Sequence, residues 1–368
     1  MEIGRSDISD VLSCLPDVNP LGKLPVKVDL LLCTLGFEDR APALANRFSE
    51  EGVLQEAPVI LIEYPTNIAD NEANLIHFET AAKKAAALLR IRYARNSYFR
   101  ALTETLAALH LRIGARVIFD ISTCSSFVFY PTMKALMELD LDITLVYSEA
   151  SEYSPTREEW EEVARKATQE NSMFAESFEN AEFQTIGVDD VYASSLFSEM
   201  NSGNRPTIFV AVPNFSAGRM NALVTRDQEI NKTSDCFWLI GEPPSSENEW
   251  RIEAVRTTNN LRTVDPSNVR LVSTLHYKEM LKALEDIWVE TRHSYYMSIG
   301  TLGSKMQHVG TYFFLCLHKD VGLLLTEPKS FRTERYSSGL CQTWQICLGE
   351  TRLLRDVLEK YMTFRWKL

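Results

Sequence analysis

The run Ser298-Ile-Gly-Thr-Leu-Gly-Ser-Lys-Met306 joins an apolar segment to a helical one and concentrates chemistry in a few residues. Gly300 and Gly303 permit a tight turn, Thr301 and Ser304 offer hydroxyls, and Lys305 brings a charge to a helix start. Such a turn suits phosphate or another anion, because exposed amides and the helix dipole favour negative charge there. The GxxxxGK[ST] spacing of a Walker A loop is missing. An ordinary strand–turn–helix junction with Ser304 as N-cap accounts for the same residues. At one constant offset earlier in the chain stands Asp120-Ile-Ser-Thr-Cys-Ser-Ser126, with Thr123, Ser125 and Ser126 in the matching places. There Phe127 takes the position of Lys305, which makes this copy electrostatically poor.

Other candidates lie at similar junctions. Gly36-Phe-Glu-Asp-Arg40 and Asn214-Phe-Ser-Ala-Gly-Arg219 each follow an apolar run, and place Arg40 and Arg219 where a ligand would meet a strand end. Asn96-Ser97 and Thr274-Leu-His276 follow the third run of each copy. Glu38 and Asp39 with Asp120 could form a paired-carboxylate site, or serve as caps that complement a helix dipole. His276 and His308 could act in acid–base chemistry or simply pack. Cys124, at a strand end before a helix, is the cysteine placed most like an activated thiol, although no histidine shares its turn. An enzymatic reading requires Arg40, Glu38, Asp120 or His276 to converge within hydrogen-bonding reach.

The elements that position these residues repeat. "VDLLLCTLG", "PVILIEYP", "IRYARN", "RVIFDIS" and "DITLVYSE" read as strands separated by helical segments, the second of which extends over about 71–90. Continuous rather than alternating apolar strands imply a parallel sheet covered on both faces. Pro131 inside the fourth helix is compatible only with a place near that helix's first turn. The second half runs in the same order through "TIFVAVPNF", "CFWLIGEPP", "VRLVST", "SYYMSIG" and "VGLLLTEP". Phe37 and Phe215, Pro65 and Pro243, Thr123 and Thr301, and Ser126 and Ser304 share one offset; Arg40 and Arg219 share an offset one residue longer. This order implies an internal duplication. Residues 245–268 have no helical reading and are expected to be strand-like or irregular. The expected fold is α/β, with two Rossmann-like parallel-sheet lobes. Its divisions are an N-terminal extension (1–25), lobe 1 (26–151), an acidic helical linker (152–204), lobe 2 (205–330) and a C-terminal strand and helix (331–368). Thr156-Arg-Glu-Glu159 reads as a capping box that opens the linker helix.

Composition bounds the rest. The 368 residues, 45% hydrophobic and 24% charged, belong to a globular protein, and no apolar stretch reaches the length of a membrane span. The N-terminus lacks a basic-then-apolar leader, so a cytoplasmic location is expected. Seven cysteines form no CxxC pair and six histidines form no HxH or HExxH, so neither a metal site nor a cofactor is expected. A net charge of −12 argues against broad duplex nucleic-acid binding, while a local cation cluster can still hold a small anion.

"SIGTLGSKMQHVG" resembles the strand–turn–helix signature of CARF domains, and "LLLCTLGF" and "IFVAVPNF" are similar to that family's other ligand-facing loop. SAVED domains look like two such units fused in one chain. The resemblance spans about residues 26–150 and 204–330. It implies a nucleotide sensor of prokaryotic antiviral defence, with a cyclic oligonucleotide or other nucleotide held between the lobes and a separate effector protein as partner. By position it implicates Thr301, Gly303, Ser304 and Lys305 in the second copy and Thr123, Ser125 and Ser126 in the first, beside Gly36, Arg40 and Arg219. The rival expectations are a ligand-free scaffold subunit of a defence complex and a nucleotide-processing enzyme such as a ring nuclease.

Overall fold

The strands LLLCTL and TIFVAV are buried at every residue, which only a sheet covered on both faces provides. The structure, a computed structural model, describes residues 8–23, 27–54, 56–169, 183–197, 205–231 and 235–365. Two compact units result, one made of Met1–Glu152 with Ser337–Leu368 and the other of Tyr153–Tyr336.

In the first unit the chain runs β1 (Leu30–Leu35), α1 (Ala43–Glu50), β2 (Pro58–Glu63), α2 (Ile68–Ala82), β3 (Ala87–Arg92), α3 (Tyr98–Ala108), β4 (Ala115–Asp120), α4 (Ser126–Met137) and β5 (Leu141–Ser148). Its parallel strands lie in the order 3-2-1-4-5, with the switch point between β1 and β4. The second unit opens with α5 (Arg157–Gln169) and β6 (Asp190–Ala193). It continues through β7 (Thr207–Val212), α6 (Ala217–Asn231), β8 (Asp235–Glu242), α7 (Trp250–Thr258), β9 (Val269–Ser273), α8 (Tyr277–Thr291), β10 (Tyr296–Thr301), α9 (Lys305–Leu317) and β11 (Gly322–Glu327). Strands β7 to β11 repeat the first unit's order, with the switch point between β7 and β10. The chain then returns to the first unit as β12 (Thr343–Glu350) and α10 (Thr351–Arg365).

Each sheet gains one antiparallel strand on its fifth parallel strand. In the first unit this is β12 on β5, and in the second it is β6 on β11. The registers match: Trp344 pairs Tyr147 and Thr343 pairs Ser148, while Tyr192 pairs Leu325 and Val191 pairs Thr326. The fittings match as well. The Trp344 indole donates to Glu149 Oε2 at 3.2 Å, and the Tyr192 hydroxyl donates to Glu327 Oε1 at 3.3 Å. Two Rossmann-like lobes are therefore present.

Three sequence readings change. Residues 245–268 hold the helix α7 and short 3₁₀ turns, because Ala254 and Val255 pack with Phe215, Ile240 and Leu261. The second helix ends at Ala82, and Ala87–Arg92 becomes a strand because it pairs in register with Pro58–Glu63. Pro131 is the sixth residue of α4, beyond the first turn; every residue of α4 except Lys134 is buried, and that burial offsets the missing amide. The capping box of α5 forms as read: Thr156 N–H donates to Glu159 Oε2 at 2.9 Å, and Glu159 N–H to Thr156 Oγ1 at 3.2 Å.

Candidate functional site

In both units the residues at the carboxyl ends of the strands come together around the switch point, where this class of sheet binds ligands. In the first unit Gly36 directly follows β1. A Cβ there would lie 2.9 Å from the Thr123 Cβ, so glycine lets the turn after β4 close on β1. Thr123 Oγ1 meets Thr34 Oγ1 at 2.7 Å. The Tyr64 hydroxyl donates to Thr123 O at 3.1 Å and accepts from Ser125 N at 2.8 Å. Burial pushes the Tyr64 phenol well above its ordinary pKa, so it remains a neutral donor here. Ser125 occupies the N-cap of α4 without a side-chain cap bond, and its enclosed Oγ lacks a hydrogen-bond partner. Ser126 is buried at the first helical position. Phe127 fills the place of the second copy's lysine and packs on Tyr93 and Tyr64, with centroids at 4.8 and 5.9 Å.

Arg40 is buried and satisfied from inside the protein. Its Nε and Nη2 donate to Glu38 Oε2 at 3.1 and 2.7 Å, and its Nη1 donates to Ser148 O at 2.7 Å. The Ser337 hydroxyl donates to the same Glu38 oxygen, and Gly339 N–H donates to Asp39 Oδ2 at 3.2 Å. Asp120 accepts from Ser122 N at 2.9 Å and from the Ser122 hydroxyl, whose oxygen in turn accepts from Ser148 N at 2.8 Å. Burial pushes Asp120 up to about 6, against the pull of the Ser122 bonds and the Arg40 charge. Glu38, Asp39 and Asp120 thus each have their own donors. Cys124 is fully buried, with Sγ 3.6 Å from Ser125 O, and packs as an apolar residue.

The second unit repeats this frame with different fittings. Arg219, the third residue of α6, donates through Nη2 to Thr326 O at 3.0 Å, just as Arg40 reaches Ser148 O. No carboxylate follows β7 where Glu38 follows β1; Asn214, Phe215, Ser216 and Ala217 stand there instead. The Arg219 side chain is half-buried, yet its Nε is enclosed and has no hydrogen-bond partner. Burial lowers its pKa to about 10, so it stays charged at neutral pH. The buried Thr326 Oγ1 also has no partner, because Val191 lies opposite it where Thr343 lies 3.3 Å from the Ser148 hydroxyl in the first unit.

The opening run supplies the other wall. Thr301 is buried and accepts from Gly303 N at 3.3 Å. At Gly303 a Cβ would stand 2.3 Å from Gln307 Oε1 and 2.9 Å from Val212 Cγ1, so a side chain there would have to displace both. Ser304 caps α9: its N–H donates to Gln307 Oε1 at 2.9 Å, its Oγ accepts from Gln307 N at 3.1 Å and donates to Thr274 O at 2.7 Å. The Ser304 hydroxyl is therefore committed to the fold. Lys305 is half-buried at the first position of α9. His308, one turn on, is buried, and its pKa falls to about 3 through burial and then through the charges of Lys305 and Arg219. Both cations thus act on one neutral imidazole. His276 is an exposed N-cap of α8 and belongs to this second unit, whereas Arg40 and Glu38 belong to the first.

Sequence reading missed the carbonyls of Ser148 and Thr326 as arginine acceptors, and the paired strands that flank them. The constant offset between Ser148 and Thr326 was the available signal. Among the described residues no group of three His, Cys, Asp or Glu is placed to hold a metal ion, and no helix is long and apolar enough to cross a membrane.

No family model matches the chain, and no curated protein matches it. Among solved structures it is similar to the functionally unknown protein PA1789 from Pseudomonas aeruginosa PAO1, at 10% identity over 93% of this chain and 98% of that one, TM-score 0.24. It is also similar to a proposed universal stress protein from Pseudomonas aeruginosa UCBPP-PA14, at 11% identity over 91% and 97%, TM-score 0.25. A third match is the cytoplasmic domain of a prokaryotic cation chloride cotransporter, at 8% identity over 82% and 96%, TM-score 0.25. The strand order described above, and not these matches, defines the fold.

Proposed function

We propose that the chain is a nucleotide-binding regulatory protein of the CARF/SAVED kind, which holds a phosphate of its ligand at the carboxyl edge of the second unit's sheet. One observation carries the reading. The guanidinium edge that Glu38 occupies on Arg40 has no internal carboxylate on Arg219, and Lys305 and the start of α9 add positive potential nearby. A cyclic oligonucleotide or related nucleotide supplies the missing anion, and a separate effector reads the occupied state in antiviral defence. The test is a thermal-shift panel of cyclic di-, tri- and tetranucleotides on the wild type and Lys305→Ala. A shift in the wild type that is lost in the variant, with unliganded melting nearly equal, supports the reading. No shift across the panel in the wild type overturns it.

A second reading, a ligand-free scaffold subunit, is favoured by the first unit, where Glu38 and Phe127 close the equivalent place. It predicts a silent panel and a stable protein partner.

A further inference from the structure

The second strand of each sheet ends on a glutamate. Glu63 closes β2 and pairs in register with Arg92, while Glu242 closes β8 and pairs in register with Ser273. By the same registers Arg90, two residues before Arg92, corresponds to Leu271. In the first unit the Arg90 guanidinium donates to Glu63 and neutralises it. In the second, Leu271 is 47% exposed and offers no charge. Among the described residues the Glu242 side chain is exposed and has no hydrogen bond or ion pair. A free carboxylate therefore stands at the carboxyl edge of the second unit's sheet.

The backbone fixes where it stands. Glu242 O accepts from Thr274 N at 2.9 Å and from Thr274 Oγ1 at 3.2 Å. Thr274 O in turn accepts from the Oγ of Ser304, the N-cap of α9, at 2.7 Å. At Gly241 a Cβ would stand 2.7 Å from Thr274 Cγ2 and 3.5 Å from Gln307 Nε2, so the first turn of α9 lies close against the end of β8. Glu242 is thus held beside the turn that carries Lys305, on the strand next to β7.

We propose that Glu242 reads the sugar: its carboxylate accepts a hydrogen bond from a free ribose hydroxyl of the nucleotide whose phosphate meets Arg219 and Lys305. The inference rests on the phosphate reading above and adds the class of nucleotide, ribo rather than deoxyribo. An ionised carboxylate only accepts hydrogen bonds and repels a phosphate, so the group it meets is a neutral donor. In a nucleotide the sugar is bonded directly to the phosphate, and neighbouring strands lie about 4.8 Å apart, which suits a sugar reached from the next strand. An acid that takes ribose hydroxyls beside a phosphate-binding turn is chemistry that parallel α/β sheets support.

The test measures the affinity of the full-length chain for 3′,5′-linked cyclic di-, tri- and tetraribonucleotides and for their 2′-deoxy counterparts. The proteins are the wild type, Glu242→Ala and Lys305→Ala. For at least one species the wild type should bind the ribo form about tenfold or more tightly than the deoxy form, the worth of a hydrogen bond to a charged acceptor. In Glu242→Ala that preference should vanish. If the wild type binds both forms equally and Lys305→Ala binds neither, the sugar inference falls and the phosphate reading stands. A ribo preference that survives in Glu242→Ala overturns the inference. So does a guanine preference that disappears in that variant, because it assigns the carboxylate to a base edge. Absence of binding by the wild type to every probe overturns the phosphate reading and this inference together.

Discussion

Arg40 and Arg219 occupy one position in two copies of the same fold, and each reaches a carbonyl at the end of a fifth strand. Arg40 meets a carboxylate from two residues away, whereas Arg219 meets none and keeps an enclosed Nε without a partner. The hydroxyl beside each follows the same rule: that of Ser148 faces Thr343, while that of Thr326 faces Val191. The first unit is thus a filled version of the site and the second an unfilled one. Duplication supplies two frames, and in the second of them two of the first frame's internal partners are missing.

The largest effect that could break this comparison is on stability. Arg40→Ala leaves Glu38 buried without its cation and should cost about 3–5 kcal/mol. Arg219→Leu removes a half-buried cation that has no carboxylate partner, so the unliganded protein should lose less than about 1 kcal/mol or gain slightly. Denaturant melts of the two variants decide it, and equal losses would show that the sites are not different in kind.

Next comes acidity in the first unit. The Asp120 pKa is raised by burial to about 6, so the folded state holds its proton more tightly than the unfolded chain does. Stability from this group is therefore fully present below about pH 4 and is lost as pH rises through about 6, by about 2–3 kcal/mol in all. Asp120→Asn, which keeps an acceptor for Ser122, should remove that slope and raise stability at pH 7. Chemical melts at pH 4.5 and 7.5 measure both effects. In the second unit the His308 pKa is lowered instead to about 3, so its imidazole should stay neutral at pH 6 and its ring resonances should not titrate between pH 5 and 8.

The smallest effect sharpens the comparison most. Val191→Thr restores the hydroxyl that Thr343 provides in the first unit, and should stabilise the unliganded chain by about 0.5–1.5 kcal/mol through a bond to Thr326. A loss of stability would mean that the Thr326 hydroxyl is not waiting for a donor or acceptor at that side.

Much of this fold was legible because its strands are continuous apolar runs set between helical periods, and because the two copies keep one offset. The failures have physical causes. "KKAAALLR" has high helix propensity, yet Ala87–Arg92 becomes a strand because pairing with β2 outweighs an intrinsic preference of a few tenths of a kcal/mol per residue. The closing strand Asp190-Val-Tyr-Ala193 is four residues within an acidic stretch and carries no periodicity long enough to read. At the candidate site the residue types were visible and the partners were not. Ser304 reads in sequence as a cap first and as a phosphate ligand second, and its bonds to Gln307 and Thr274 assign it to the helix. Arg40 and Arg219 look alike in sequence, because whether a guanidinium is paired depends on where the turn carrying Glu38 folds back.

The most direct test is a side-by-side melt of the wild type and Arg219→Leu against the cyclic-nucleotide panel. A ligand at a hundred times its Kd stabilises by about 2.7 kcal/mol, enough for a clear shift. The account predicts such a shift for at least one species in the wild type and none in Arg219→Leu. An equal shift in both proteins, or silence in the wild type at millimolar ligand, would contradict it.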